Sequence, residues 1–435
     1  MKTLLTGATL IKGKAPFEVI RNGWLAFDDN GVITYIGHAL AEEKISDYDE
    51  VLPMSGDWVM PGLVNTHGHA AMSLLRGYAD DLPLMEWLEQ KIWPIEEKYT
   101  EEHIYWGAKL AAAEMLRSGT TCFLDMYDRM HRVAQVVDES GLKASLCRGV
   151  IGLGDKEVVA AKLDEMTHFA KEFRHAADGR IQTMVSPHSL YTCSPEVIQA
   201  IVQVAEAEGF SIHTHLSETR SEVAYALREY RLRPVEHLHR LGLFRRPTLV
   251  AHAVHLSHEE VEILVEHQVG ISHNPASNLK LASGIAPIPY YLQKGLLVSL
   301  GTDSAASNNN LDLFAEMRLA ALIHKGNEEN PLVIPAHQAL AMATCNGAES
   351  LGFGLTSGSL EVGKDADFIV LESNRPHLSP EHDVLSQLVY AAKGADVLHV
   401  FVRGKCLMKN RQLLTIDEEE LLYTVNSLAQ VAPFH

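Results

Sequence analysis

Short apolar segments alternate with longer amphipathic segments from about residue 100 to about residue 350. The longer segments have helical apolar spacing, and the short ones have the length and composition of buried strands. Together with the apolar run before His67, the short segments number eight: 58–65, 120–125, 144–148, 181–188, 210–215, 248–252, 270–273 and 297–303. Eight strands alternating with helices predict an α/β fold, the (β/α)8 TIM-like barrel.

Both ends of the chain have a different pattern. Residues 1–56 and 351–435 contain short apolar stretches separated by turn signals such as Asp28-Asp29-Asn30-Gly31. We therefore expect a small β-sandwich domain built from both ends and interrupted by the barrel at residues 57–350. A helix is predicted near the C-terminus, over residues 418–430.

One acidic and aromatic segment follows the first barrel strand. Met85, Leu88 and Ile92 share a helical face, which is typical of packing. Proline removes a backbone donor, so Pro94 is predicted to end this helix and to leave Glu96 on a loop or first turn.

The bulk composition excludes several classes of protein. The 435 residues carry a formal net charge of -19 spread along the chain, which disfavours nucleic acid and anionic membranes as partners. Five cysteines without a CxxC pair argue against a disulfide scaffold or a cysteine zinc knuckle. No apolar run approaches the roughly 18 residues of a membrane helix. We expect a cytoplasmic protein.

Candidate metal ligands lie at the ends of the predicted strands. His67-Gly68-His69 follows an apolar run, and residues two apart on a strand share a face, so both imidazoles can bind one cation. Two unrelated loop histidines are the alternative. The active site of such a barrel lies at the C-terminal ends of its strands. His215 is therefore favoured over His213 as third ligand, and His213 is interpreted as a second-layer or core histidine.

Three further side chains are candidates for proton transfer. Asp303 follows the last strand and could serve both as fourth ligand and as the base that deprotonates an attacking water. Glu218 lies three residues after His215 and could shuttle a proton, whereas His252 could stabilise developing charge. The alternatives are helix-capping carboxylates for Asp303 and Glu218 and a core histidine for His252. Histidines nevertheless recur at the strand ends: His67, His69, His188, His215, His252 and His273.

This ligand pattern resembles the amidohydrolase superfamily of the mononuclear type. Binuclear members carry a carboxylated lysine at the end of strand four, where this chain has Ser186-Pro187-His188. The resemblance therefore implies one divalent metal per subunit, with zinc expected. It also implies that His67, His69, His215 and Asp303 bind this metal.

Four stretches resemble the 5-methylthioadenosine/S-adenosylhomocysteine deaminases of the ATZ/TRZ-like subgroup. They are residues 61–72, 93–96, 272–284 and 301–312. The resemblance implies a purine nucleoside substrate whose ribose binds Glu96, whose amino-acid end meets Arg148, and whose base contacts His188 and Glu218. It also implies a homo-oligomer. One departure is Ser304, where the family commonly has glycine, and its side chain could narrow the pocket or bond Asp303.

The implied reaction is hydrolytic deamination of adenine, in which Glu218 protonates ring N1, Asp303 accepts the proton of water and His252 assists. Two alternatives stay open. One is another superfamily reaction on guanine, pterin or triazine rings, and the other is an inactive scaffold relative. The HxE/PCxxC type of zinc deaminase is excluded because the chain contains no PCxxC.

Overall fold

The computed structural model describes residues 2–54 and 56–430, which form two sheets surrounded by helices. The strands in chain order are β1 Thr3–Lys12, β2 Glu18–Phe27, β3 Ile33–Gly37, β4 Glu50–Pro53, β5 Trp58–Pro61, β6 Leu63–Asn65, β7 Thr120–Tyr127, β8 Lys143–Val150, β9 Ile181–Pro187, β10 Ser211–Leu216, β11 Thr248–His252, β12 Gly270–His273, β13 Val298–Leu300, β14 Phe368–Leu371, β15 Val397–Val402, β16 Lys405–Lys409 and β17 Gln412–Leu413.

The helices lie mainly between the strands of the second sheet. They are α1 Leu84–Trp87, α2 Trp93–Glu96, α3 Glu101–Arg117, α4 Met130–Ser140, α5 Lys156–Glu172, α6 Ala176–Gly179, α7 Pro195–Glu208, α8 Arg220–Tyr230, α9 Pro234–Arg240, α10 His258–Glu266, α11 Pro275–Lys280, α12 Ile288–Gln293, α13 Leu313–Asn327, α14 Ala336–Ala343, α15 Cys345–Ser350, α16 Val384–Tyr390 and α17 Glu418–Ala429. Several begin at polar caps; for example, the side chain of Ser194 accepts the backbone N–H of Val197 at the start of α7.

Strands β6 to β13 form the predicted barrel. They are parallel and adjacent in chain order, and the interstrand pairs run from β6–β7 through β12–β13. The first and last strands meet through two backbone hydrogen bonds, Thr66 N to Leu300 O at 2.9 Å and Asp303 N to His67 O at 3.0 Å. The (β/α)8 prediction is confirmed. Because the strands are parallel, their polar C-terminal residues gather at one end of the barrel.

Both ends of the chain build the other sheet, as predicted. Its order is β17-β16-β15-β14-β5-β1-β2-β3, and β4 pairs with β1. The sheet is mixed, because β1 is parallel to β4 and β5 but antiparallel to β2. It folds over itself, so that the ring of Phe27 on β2 lies 6.0 Å from Phe368 on β14 and 6.2 Å from Phe401 on β15. The predicted C-terminal part extends to residue 435, and residues 431–435 lie outside the described part.

The apolar run before His67 is not one strand. Trp58–Pro61 pairs with β1 and β14 in the mixed sheet, whereas Leu63–Asn65 begins the barrel. The chain passes between the sheets at Gly62, where an added Cβ would lie only 2.1 Å from Thr121 Oγ1. Glycine allows this close approach to β7, and the prediction of a single barrel strand beginning at residue 58 is wrong for its first half.

Pro94 does not end the helix that precedes it. A π-helical turn, Leu88–Ile92, connects α1 to α2, and Pro94 lies in the first turn of α2. The N–H groups of a first turn need no partner within the helix, so proline is tolerated there. Glu96, predicted on a loop or first turn, lies in the first turn of α2 and is the last residue of that short helix.

In the described ranges, no helix has both the length and the apolar character needed to cross a membrane.

Candidate metal and substrate site

Histidines from three strands converge at the C-terminal end of the barrel. His67 and His69 lie two and four residues after the end of β6, His215 lies in β10, and His252 ends β11. The ring centroid of His67 lies 4.9 Å from those of both His69 and His215 and 5.3 Å from that of His252. Strand ends from opposite sides of the barrel thus bring together side chains far apart in sequence.

The tautomer of His67 is determined by a chain of hydrogen bonds. His213 Nδ1 lies 2.8 Å from the carbonyl oxygen of Leu249 and must donate to it, so His213 Nε2 is an acceptor. His67 Nδ1 lies 2.9 Å from that acceptor and donates its proton. His67 Nε2 therefore carries a lone pair, and this buried atom has no hydrogen-bond partner among the described residues.

His69 and His215 are oriented in the same way by carbonyl groups. His69 Nδ1 lies 2.6 Å from Met126 O, and His215 Nδ1 lies 2.8 Å from His188 O. Both Nδ1 atoms donate, which leaves both Nε2 atoms as lone-pair donors to a cation. Burial, together with the neighbouring histidines, lowers the pKa of His67 and His215 well below the usual value, so these imidazoles are neutral.

Asp303 faces these nitrogens with one carboxylate oxygen. Its Oδ2 accepts hydrogen bonds from Ser277 Oγ at 2.6 Å and Ser307 Oγ at 2.9 Å, and its Oδ1 accepts the Ser304 N–H at 2.8 Å. Oδ1 lies 3.6 Å from His67 Nε2 and 3.4 Å from His69 Nε2. The backbone at Asp303 is left-handed, with φ of 59°. Such strain is typical of functional positions.

The donor set fits a divalent cation. Metal–ligand bonds of about 2.1 Å at tetrahedral angles separate the ligand atoms by about 3.4 Å, close to the two distances from Asp303 Oδ1. The possible ligand atoms of His67, His69 and Asp303 lie within 4.8 Å of one another, as do those of His67, His215 and His252. The orphaned Nε2 of His67 is the strongest sign, because a buried polar atom without a partner is costly.

Glu218 and His252 lie beside this cluster. Glu218 Oε2 is 3.8 Å from His252 Nε2, and Glu218 Oε1 accepts a hydrogen bond from Ser283 Oγ at 3.4 Å. Burial raises the pKa of Glu218, which favours the protonated form that a general acid needs. Helix α8 is capped by the hydroxyl of Thr219, which accepts the Glu222 N–H at 3.2 Å, and the Glu222 carboxylate accepts the N–H groups of Ser217 and Glu218, both at 2.8 Å. The side chain of Glu218 therefore does not cap α8.

A cavity of about 430 Å³ opens above the cluster. Its walls include the other predicted substrate residues, Glu96, Arg148 and His188, together with Glu218, His252 and Asp303. The hydroxyl of Tyr127 donates to Glu96 Oε1, and burial raises the pKa of Glu96 to about 7. The apolar part of the wall includes Trp87, Leu88, Ile92 and Leu281.

Two predicted features differ in detail. His273 does not join the other histidines, because its Nε2 lies 3.2 Å from Nε2 of His324 on α13. Ser304 lines the cavity, but its hydroxyl bonds Ser307 Oγ at 3.0 Å and reaches Asp303 only through that residue.

Sequence reasoning missed the residues that orient the site. Ser277 and Ser307 bond Asp303, and Asn278 Oδ1 lies 2.8 Å from His252 Nδ1. Serine and asparagine are common in loops, so the sequence contains no signal that separates these from others. Glu222 had a weak signal, since it stands three residues after Thr219, the spacing of a capping box.

Comparisons with known proteins agree with this architecture. The amidohydrolase family model matches residues 58–407. A 5-methylthioadenosine/S-adenosylhomocysteine deaminase of Moorella thermoacetica is 49% identical over 421 residues, covering 97% of both chains. A zinc-bound adenosine deaminase from Xanthomonas campestris superposes with a TM-score of 0.91 at 34% identity, covering 98% of both chains. A triazine hydrolase from Arthobacter aurescens shares the fold, with a TM-score of 0.90 at 23% identity, covering 98% of this chain and 99% of that one.

Proposed function

The chain belongs to the amidohydrolase family, and we propose that it is a metal-dependent hydrolase that deaminates the adenine ring of 5'-methylthioadenosine and S-adenosylhomocysteine. One observation carries this proposal. The cavity is lined by His69, His215, His252 and Asp303, whose ligand atoms form two groups that share His67, and it also contains two residues suited to the rest of a nucleoside, Glu96 and Arg148. The similarity to deaminases of these compounds at 49% identity supports the same substrate class.

The metal is proposed to be a single zinc ion per subunit, held by His67, His69, His215 and Asp303. Three imidazoles and one carboxylate suit zinc. The lysine that a binuclear site would need is missing at the end of β9, where this chain has Pro187-His188. When bound, this ion activates water and stabilises negative charge on the attacked group.

The proton transfers are assigned to two carboxyl groups. Glu218 donates a proton to ring N1, which makes C6 electrophilic, and Asp303 accepts a proton as water adds its hydroxyl group to C6. Asp303 then returns that proton to the amino nitrogen, and the C6–N6 bond breaks to release ammonia. The C6 hydroxyl proton passes to Glu218, which restores both groups. His252, 3.8 Å from Glu218, stabilises the charge that develops on the attacking oxygen.

The remaining cavity residues bind the substrate. An ionised Glu96 accepts hydrogen bonds from both ribose hydroxyls, and a guanidinium such as Arg148 matches a carboxylate. His188 is available to the purine, because its Nδ1 contacts Thr192 Oγ1 at 3.0 Å and its Nε2 is left for the cavity.

The test is the ultraviolet absorbance change from adenine to hypoxanthine, followed with zinc-loaded enzyme. We expect turnover of methylthioadenosine and S-adenosylhomocysteine and none of guanine. Activity on triazines or guanine alone would contradict the proposal. Glu96→Ala should raise the KM for adenosyl compounds; an unchanged KM would favour a substrate without ribose.

We also propose that the enzyme acts in the cytoplasm as a homo-oligomer. All five cysteines are free thiols, as in a reducing compartment. Exposed apolar side chains such as Leu332 and Tyr423 offer surface for contacts between copies. Light scattering after size exclusion gives the mass, and a monomer at micromolar concentration would contradict the second part.

A further inference from the structure

Arg148 is already bound by the protein's own carboxylates. It belongs to β8, lines the cavity, and has a side chain only 8% exposed. Its Nε and Nη2 donate to one oxygen of Glu165 at 3.0 and 2.9 Å, and Nη2 also lies 3.1 Å from Asp128 Oδ1. Its Nη1 donates to the carbonyl oxygen of Gly149.

These contacts occupy most of the donors that a substrate carboxylate would use. A guanidinium has five N–H groups, and carboxylates bind it best through two parallel hydrogen bonds on one edge. The edge formed by Nε and Nη2 is held by Glu165. One N–H of Nη1 remains, which cannot form such a pair. A carboxylate ligand must therefore displace Glu165 before Arg148 can bind it in the bidentate way.

Glu165 is placed to act as this competitor. It comes from α5, outside the barrel wall, and its side chain is 44% exposed, so it can turn into solvent when a ligand takes its place. A ligand's apparent affinity falls in proportion to the fraction of receptor that is competent to bind. The apparent affinity for a substrate without a carboxylate is not lowered in this way, because that substrate does not need to displace Glu165.

We propose that Glu165 determines substrate preference by competing for Arg148, so that nucleosides with a short uncharged 5' group are favoured over those with an amino-acid end. This inference rests on the proposed deaminase function. Apolar side chains of the same cavity, including Ile151 and Leu153, suit a methylthio group. Glu165 is thus a specificity-determining residue and takes no part in the chemical step.

The test compares Glu165→Gln with the wild-type enzyme on methylthioadenosine and S-adenosylhomocysteine. We expect the KM for S-adenosylhomocysteine to fall by about fivefold. This factor corresponds to the upper end of the free energies that exposed ion pairs contribute. Both kcat values and the KM for methylthioadenosine should stay unchanged. Asp164→Asn is the matched control, because it removes a neighbouring negative charge from α5 that has no contact with Arg148.

Other outcomes distinguish a failure of the proposed deaminase function from a failure of the competition by Glu165. A wild-type enzyme that is inactive on methylthioadenosine would overturn the proposed function itself. If methylthioadenosine is turned over but Glu165→Gln leaves the KM ratio unchanged, the carboxylate binds elsewhere, for example at Lys162 on the same cavity wall, and the inference is wrong. A weaker KM for S-adenosylhomocysteine in Glu165→Gln would instead show that Glu165 binds the substrate's ammonium group, which also overturns competition.

Discussion

At the scale of single residues, the nitrogen atoms that the proposed metal ligands offer depend on hydrogen bonds between these histidines and neighbouring groups. His213 accepts the proton of His67 Nδ1 and is itself fixed by Leu249 O. Replacing His213 by alanine should lower zinc affinity by roughly 10- to 100-fold, as is typical for partners of metal-binding histidines. Competition with a chromophoric chelator measures this affinity.

The control for His213→Ala is His324→Ala. It also removes a buried histidine from a pair of imidazoles, at 3.2 Å from His273, but outside the metal cluster. Zinc affinity should be unchanged in this control. His213→Gln offers an amide oxygen as acceptor in place of Nε2 and should recover part of the loss. Equal affinities in all three variants would contradict the proposed role of His213.

The carboxyl groups of Glu218 and Asp303 should be indispensable for turnover. Glu218→Gln and Asp303→Asn each remove a proton-transfer group, which typically contributes about 10²- to 10⁴-fold in rate. Glu218→Gln should retain its zinc, whereas Asp303→Asn should also bind zinc more weakly. Rates from the absorbance assay and metal analysis separate the two effects, with circular dichroism to verify folding. Near-normal turnover in either variant would refute the assignment.

Glu96 should make substrate binding dependent on pH. Burial raises its pKa to about 7, so the carboxyl is protonated below that pH and ionised above it. Only the ionised form accepts hydrogen bonds from both ribose hydroxyls. The KM for methylthioadenosine should therefore rise as the pH falls below about 7, by up to about tenfold per unit. Glu96→Gln should remove this dependence, and a wild-type KM that is flat between about pH 5.5 and 8 would contradict it.

Two of these residue-level features differed in how well the sequence predicted them. The spacing His67-Gly68-His69 and the strand-end position of Asp303 carry information, because few other roles need them together. The hydroxyl groups of Ser277 and Ser307 carry none until the loops fold and bring both to Asp303 Oδ2. The role of Ser277 depends on a contact across 26 residues of sequence, which no local pattern encodes.

At the scale of elements, the junction between the first and last barrel strands should be sensitive to volume. An added Cβ at Gly301, just after β13, would lie 2.4 Å from Asn274 Oδ1 and 2.8 Å from the His67 backbone nitrogen. Gly301→Ala should lower the free energy of unfolding by about 1–3 kcal/mol and displace His67 and Asp303, with loss of zinc.

Urea unfolding and metal analysis check the prediction for Gly301. Gly326→Ala in α13 is the control, because nothing lies within 4 Å of its added Cβ. Alanine is the better helix former, so this control should be neutral or up to about 1 kcal/mol more stable. An equally stable, metal-replete Gly301→Ala protein would show that the strand junction can expand freely.

The elements that the sequence predicted well are those decided by apolar periodicity. Strands β7 to β12 and helix α17 lie within two residues of the ranges that their apolar spacing predicts. The segment around Pro94 was mispredicted because a π-helical turn changes the hydrogen-bond register just before the proline. The run before His67 was predicted as a single strand because its two halves are equally apolar, and in the structure both are buried. Only the pairing partners distinguish them.

At the scale of the whole molecule, the mixed sheet and the barrel are joined by a buried ionic cluster. Lys143 begins β8 at the N-terminal end of the barrel, opposite the metal site, and its side chain is only 2% exposed. Its Nζ donates to Asp365 Oδ2 at 2.6 Å, Asp367 Oδ2 at 2.5 Å and Ser357 Oγ at 2.7 Å. The two aspartates immediately precede β14 of the mixed sheet.

We propose that this ionic cluster stabilises the interface between the predicted barrel, residues 57–350, and the mixed sheet. Lys143→Met keeps the volume of the side chain but leaves two carboxylates without their cation, which should cost about 3–5 kcal/mol of unfolding free energy. Lys294→Met is the matched control, because its pair with Glu262, at 2.5 Å, is exposed and should contribute at most about 1 kcal/mol. Urea denaturation gives both values. Because the ionic cluster lies at the end of the barrel away from the cavity, the folded Lys143→Met enzyme should keep its zinc and its kcat. A loss of zinc without a loss of stability would show that Lys143 acts on the metal site rather than on the contact between the two sheets.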